Sequence, residues 1–160
     1  MSILSRKVRY ALHGLAFLAV HPNKRPVPFN EILRFLRTYS DQLTLSNGYI
    51  AKIFQEVSRA GFAAAMPGPR GGYQLARPAE EIRVLEVVRA LDGPAASECC
   101  LLSVGRCPRE ETCGFRNVVQ KAEEAFYSEL DKETVGSIAA KMDFRDLPST
   151  LLAPTDGQNG

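Results

Sequence analysis

Cys100, Cys107 and Cys113 are separated by six and then five residues, with Cys99 beside the first, so all four cysteines of the 160-residue chain fall within one fifteen-residue stretch. Thiolates are the usual protein ligands of iron–sulfur clusters, and a short Gly- and Pro-containing loop can wrap three of them around one inorganic core. No pair has the CxxC spacing of a zinc ribbon. Adjacent Cys99 and Cys100 point to opposite faces of an extended segment, so one of the two joins the site and the other packs or remains a spare thiol. Spacing alone leaves three readings open: a metal or cluster site, a redox thiol switch, or cysteines with no special role. A secreted two-disulfide framework is disfavoured. The sequence does not open on a basic and then apolar segment with a small-residue cleavage site, and a cytoplasmic setting is expected.

These cysteines need elements to hold them. Ser5 to Val20 reads as an amphipathic helix with Ser5 as N-cap, closed by His21 and Pro22. Phe29, Ile32, Leu33, Phe35 and Leu36 recur at helical spacing in a second helix that runs out near Thr38 to Asp41. Ser46 opens a third, with Tyr49, Ile50, Ile53, Phe54 and Val57 as its core face, Asn47, Lys52, Gln55 and Arg59 on its polar face, and Gly61 as its stop. The period then changes. Residues 62–66 and 73–75 read as two strands about the tip Pro67-Gly68-Pro69-Arg70-Gly71-Gly72. A fourth helix follows at Val84 to Leu91, with Ile82, Leu85, Val88 and Leu91 on one face. Beyond the cysteines, Phe115, Val118, Val119, Ala122, Phe126 and Leu130 form a stripe along a long helix that needs a partner surface, either the rest of the chain or a second copy. One more turn is expected at Val135 to Ile138 and a disordered tail over 141–160.

The fold class is therefore mostly α with a small β-hairpin. Three helices and a hairpin are the parts of a winged helix-turn-helix domain over 1–92, whose third helix enters a DNA major groove. A cysteine-rich loop occupies 93–114 and a dimerisation helix region 115–140. A hydrophobic content of 45% in 160 residues suffices for one good core. The formal net charge of +2 gives no whole-chain argument for nucleic acid, but the first 90 residues carry thirteen Lys and Arg against six Asp and Glu. No apolar run approaches the length of a membrane span, and a soluble protein is expected. No paired carboxylates or Ser-His-Asp set can be seen, and Gly68 to Gly72 lies between strands rather than before a helix, wrong for a phosphate loop, so an enzyme is not expected.

Arg9-Tyr10-Ala11-Leu12, Tyr49-Ile50-Ala51-Lys52-Ile53-Phe54, Gly68-Pro69-Arg70-Gly71-Gly72-Tyr73-Gln74-Leu75, Ile82-Arg83-Val84-Leu85-Glu86-Val87-Val88 and Cys100…Cys107…Cys113 together resemble the Rrf-type winged-helix repressors, the family of IscR, NsrR and RirA. The likeness runs in order from about Ser2 to Ile138. It implies a cytoplasmic homodimer that represses transcription by binding double-stranded palindromic promoter DNA, its occupancy governed by an iron–sulfur cluster, 2Fe-2S or 4Fe-4S. It places Cys100, Cys107 and Cys113 as metal ligands, Asn47, Tyr49, Lys52, Gln55 and Arg59 on the DNA-facing helix, and Arg70, Gly71 and Gly72 on the wing.

The chain departs from the family's pattern at three places. Arg116 stands where IscR-like members carry a ligating His, and Arg9 where NsrR-like members carry an Asp, which leaves Cys99, a small molecule or another side chain as the fourth ligand. His13 and His21 read as ordinary helix residues. About seven extra residues fall at 37–45, in what is normally a turn of three to four, and either extend the second helix or form a loop on the DNA backbone. Ala51, at the family's specificity position, is too short to reach a base edge, which shifts base readout to Asn47, Lys52 or Gln55. A cluster-free regulator using a thiol switch or a protein partner is the alternative.

Overall fold

The computed structural model describes residues 4–21, 25–39, 46–93 and 112–142. Six helices occur among them: α1 (Arg6–Val20), α2 (Phe29–Tyr39), α3 (Asn47–Arg59), α4 (Val84–Asp92), α5 (Arg116–Lys132) and α6 (Val135–Lys141). Strands β1 (Ala63–Met66) and β2 (Gly72–Leu75) pair antiparallel after α3, from Ala63 opposite Leu75 to Met66 opposite Gly72. The mostly helical winged arrangement expected from the sequence is present.

Helix α1 is the centre of the domain rather than an amphipathic surface helix. Val8, Ala11, Leu15, Ala16 and Phe17 are fully buried, and α2, α3, α4, α6 and β2 all pack on it. An apolar middle on every side of a helix is stable only when it is surrounded. Ser5 caps it by accepting from the Val8 N–H at 3.2 Å, and the same hydroxyl donates to Asp92 at the end of α4 at 2.6 Å.

Local sequence explains how α3 is set. Ser46 accepts from the Tyr49 N–H at 3.1 Å, filling one of the orphan donors of the first turn. At the other end Gly61 takes φ 78°, while its N–H reaches the Ser58 carbonyl at 3.0 Å and the Phe62 N–H reaches Val57 at 3.1 Å. This is a Schellman closure, in which a left-handed glycine reverses the chain, and it leads directly into β1. Phe54, fully buried, carries α3 onto its neighbours: its ring lies 5.1 Å from Tyr73 and 6.4 Å from Phe29 between centroids.

The wing has a third edge that the sequence did not reveal. Val27, just before α2, exchanges both backbone hydrogen bonds with Tyr73, at 2.7 and 2.8 Å. The wing is thereby tied to the start of α2. Of the 37–45 stretch, α2 takes up Arg37 to Tyr39, and 40–45 lie outside the described residues.

The last helix differs from expectation in extent. Helix α6 runs to Lys141 and buries Val135 and Ala139, so it belongs to the core rather than forming a single turn. Its capping box, Thr134 with Ser137, fixes its start. At that junction the Lys141 ammonium, and after it the Ser137 hydroxyl, hold the Glu133 carboxyl below its usual range by hydrogen bonding to its charged form. The Val84 N–H donates to Glu133 at 2.9 Å and the Val135 N–H to Ile82 at 2.8 Å. The end of α5 is thus clamped to the start of α4.

A Cβ at Gly14 in α1 would lie 2.4 Å from Phe54 Cζ. Gly14→Ala gains roughly 1 kcal/mol of helix propensity, but overpacking a filled core costs about 1–3 kcal/mol, and Phe29 and Tyr73 block retreat of the ring. The expected outcome is net destabilisation, read as a Tm lowered by a few degrees, with partial recovery in the Gly14→Ala/Phe54→Leu double variant. A Tm at or above wild type would contradict this packing.

Candidate nucleic-acid interface and cysteine site

With Ile50, Ile53, Phe54 and Val57 turned inward, the opposite side of α3 is polar. Asn47, Lys52, Gln55 and Arg59 are all exposed, the last three spaced by three and four residues along one stripe. Ala51 sits half-buried between them. Tyr49 is not the core residue its spacing suggested: it is 41% exposed and stands edge-on to the buried Tyr10 ring at 6.3 Å. Tyr49 lies at the flank of the buried stripe of Ile50, Ile53, Phe54 and Val57, so it faces partly outward while its ring is propped from behind.

Charge around this face is arranged by pairing. The one acid of α3, Glu56, turns back to Lys7 of α1 at 3.1 Å, with both side chains about a quarter exposed. Arg77, behind the wing, lies over the Phe62 ring at 5.6 Å and bonds Glu86 at 2.5 Å, so it is structural. Arg37 of α2 donates to the Asn47 side-chain oxygen at 2.7 Å. A shallow cleft there is lined by Asn30, Leu33, Arg34, Arg37, Thr38 and Asn47. Sequence reading named Arg37 for a backbone contact and passed over Arg34; ten residues with no helical period separate Arg37 from Asn47, so no spacing signal could join them.

At the wing tip Arg70 is exposed, at the third position of the turn closed by the Gly71 N–H on the Gly68 carbonyl at 2.9 Å. Gly71 and Gly72 have internal reasons for their identity. A Cβ on Gly71 would meet the Met66 carbonyl oxygen at 2.2 Å, and one on Gly72 the Val27 carbonyl oxygen at 2.2 Å. Their role is to let three backbone segments close at the base of the wing. Burial pushes the Tyr73 phenol pKa up, so that ring serves as a neutral packing group between Phe29 and Phe54.

Of the cysteines, Cys113 is described: a half-buried free thiol whose carbonyl accepts the Arg116 N–H at 3.2 Å, at the very start of α5. Cys99, Cys100 and Cys107 lie outside the described residues. Among the described residues no three His, Cys, Asp or Glu side chains gather into a metal site. His13 Nδ1 lies 2.7 Å from the Arg9 carbonyl, and His21 caps the end of α1, edge-on to Phe17, with Nε2 3.4 Å from Glu31. His13 is half-exposed on α1, and the His21 ring is buried with neither nitrogen hydrogen-bonded among the described residues. Arg9 and Arg116 are exposed, and a guanidinium, always protonated and without a lone pair to give, cannot ligate iron. A cluster at this chain therefore depends on thiolates, a donor set that suits iron and sulfide.

Helix α5 buries none of its residues. Phe115 and Val118 are 65% and 67% exposed, while Val119, Phe126, Tyr127 and Leu130 are half-buried, Leu130 packing on the core. No helix among the described residues is long and apolar enough to cross a membrane.

Residues 4–141 match the family model described as Rrf2, iron-dependent transcriptional regulator. Among solved structures, the chain is similar to CymR (YrzC), the global cysteine regulator of B. subtilis, at 24% identity and TM-score 0.69 over 89% of this chain and 100% of that one. It is similar to the oxidized form of Staphylococcus aureus CymR at 26% identity and TM-score 0.66, over 89% and 99%. T. potens IscR matches at 23% identity and TM-score 0.65, over 91% of each chain.

Arg70→Ala is expected to weaken binding to all duplex sequences alike and to lower the salt dependence of log K by about one. Titration of specific and scrambled duplexes across salt concentrations checks this, and a loss confined to one base pair would contradict a phosphate role.

Proposed function

The chain belongs to the Rrf2 family of transcriptional regulators, and from that premise we propose that it is a homodimeric repressor of promoter DNA whose occupancy is set by an iron–sulfur cluster held by Cys100, Cys107 and Cys113. The DNA reading rests on one observation above others: the outer face of α3 exposes Asn47, Lys52, Gln55 and Arg59 with its acid turned away, beside a wing that carries Arg70. In helix-turn-helix proteins such a helix enters the major groove while neighbouring cations take phosphates. Gly71 and Gly72 bring the wing backbone close enough for Arg70 to reach the duplex. Tyr49, propped by Tyr10, adds a hydroxyl at the edge of the same face.

The exposed apolar residues of α5 fit a two-fold partner. Phe115 and Val118 would meet their copies across an isologous interface, and two α3 helices would then address neighbouring major grooves. Bound iron and sulfide would supply a centre that reacts with oxygen, nitric oxide or iron limitation. The protein's part is mechanical. Cys113 lies at the root of α5, and the far end of that helix is clamped to α4 through Glu133 and Val135. A change in the cysteine segment is thus carried along α5 into the winged domain, shifting operator affinity by a linkage free energy of about 1–3 kcal/mol. With Arg9 and Arg116 unsuited as ligands, Cys99, an exchangeable small ligand or another side chain would complete the iron coordination, and an exchangeable ligand would leave iron open to attack.

One observation favours a second reading. A similar structure is described as a cysteine regulator and another is an oxidized form, and Cys113 is a free, partly accessible thiol. Here the same cysteines would switch by oxidation with no iron.

Protein isolated without oxygen is expected to be coloured, with iron and acid-labile sulfide by analysis and a cluster signature by absorption and Mössbauer spectroscopy. Colourless protein lacking both, even after reconstitution, leaves the thiol reading. Cys107→Ala should lose the chromophore and the change in operator affinity together; retention of both would overturn the assignment. Val118→Asp should bring the sedimenting mass from twice 17.6 kDa to a single chain and reduce affinity for a full palindrome toward that for a half-site.

A further inference from the structure

We propose that Arg37 and Asn47 act as one unit that selects a guanine in each operator half-site, Arg37 serving to hold the Asn47 carboxamide with its donor edge outward. The inference rests on the reading of α3 as the DNA-facing helix. Arginine has only donors, so the group 2.7 Å from its Nη2 must be the Asn47 oxygen and not the amide nitrogen. The flip of this amide is therefore set by chemistry, which otherwise leaves such an assignment open. Asn47 is the first residue of α3, where helix-turn-helix proteins make base contacts. Its side chain is not consumed in capping, because Ser46 already accepts the Tyr49 N–H.

With its oxygen engaged, Asn47 presents two N–H donors. Arg37 has five N–H donors, of which Asn47 takes one. The pair therefore offers a row of donors against a single acceptor, the Asn47 oxygen, already drawn toward the guanidinium with one of its two lone pairs engaged, and one turn further along α3 Ala51 adds none. Guanine's major-groove edge, N7 and O6, is two acceptors side by side. Adenine replaces one of them with the N6 donor, for which a bidentate Asn must supply its oxygen. Arg34, exposed in the same cleft, and the positive end of α3 both favour the more electronegative edge. Arg37 itself is a positioning residue for Asn47 as well as a contributor of donors.

Duplexes selected from a randomised library by the full-length protein, isolated without oxygen, test this. Wild type is expected to return a half-site with one guanine whose replacement by adenine lowers affinity by about tenfold or more. Asn47→Ala and Arg37→Ala should each flatten the preference at that same position, and the double variant should do no more than either alone. Arg37→Lys, which keeps the charge but loses the planar fork, should leave the preference weakened. Asn47→Asp, exposing carboxylate acceptors, should move it away from guanine. If Arg37→Ala weakens all duplexes equally while the Asn47-dependent preference persists, Arg37 is a phosphate contact and the proposal fails. Failure of wild type to enrich any sequence would sink the DNA reading itself, a result separable from the first. Both side chains are exposed, and an unchanged Tm checks that each variant folds.

Discussion

The approach of α1 to α3 at Gly14 is the constraint on which the proposed DNA-facing surface depends. Phe54 reaches into the space a Cβ at residue 14 would fill, and from there its ring contacts Phe29 of α2 and Tyr73 of β2. Helix α3, helix α2 and the wing are thus hung on one aromatic cluster. Tyr73 adds two backbone hydrogen bonds to Val27, which closes the loop from wing to α2. A surface that reads DNA needs its donors held to within a fraction of an ångström. Interlocked rings of this kind, unable to move singly in a close-packed interior, supply that rigidity.

Among the described residues, helix α5 is tied more lightly. Helix α5 has no buried residue and joins the core through Leu130, two backbone hydrogen bonds at the α4 junction and the exposed Arg83–Asp131 pair at 3.7 Å. Each such hydrogen bond contributes about 1 kcal/mol net. That scale is comparable to a typical coupling free energy between sites. On the proposed reading, α5 is held firmly enough to transmit a displacement and loosely enough to undergo one, which a fully buried helix could not do.

Much of this was legible in the residues. Apolar spacing located every helix of the winged part, and the Ser46 and Gly61 signals bounded α3 correctly, because caps and left-handed turns are decided by local chemistry. Three features were not. The centrality of α1 depends on what surrounds it, and a helix apolar in its middle with polar ends reads as amphipathic. Val27 pairs with Tyr73 through backbone atoms alone, forty-six residues away, where side-chain patterns carry no signal. Tyr49 fell on the apolar period but at the flank of the buried stripe, next to the fully buried Ile50, where spacing alone does not separate core from edge. Of the candidate site, the polar face of α3 and Arg70 were visible, whereas the contacts of Arg37 and Lys7 that set its charge required the fold. The proposed metal ligands other than Cys113 fall outside the described residues, so there the proposal rests on the cysteine spacing together with the family resemblance.

A formal net charge of +2 bears on how such a protein can hold DNA at all. Phosphate contacts supply the sequence-independent part of affinity, and although Lys7 and Arg77 are spent on internal acids, the first 90 residues keep an excess of Lys and Arg that includes the exposed Arg34, Arg37, Lys52, Arg59 and Arg70. A single winged domain nonetheless makes only one set of such contacts. Joining two of them makes the second engagement intramolecular, at an effective concentration far above that of the free protein. The apolar face of α5 then bears directly on recognition: in the proposed dimer it doubles the contacts that one such surface makes. The same dependence is what lets a change at the root of α5 be felt at the operator.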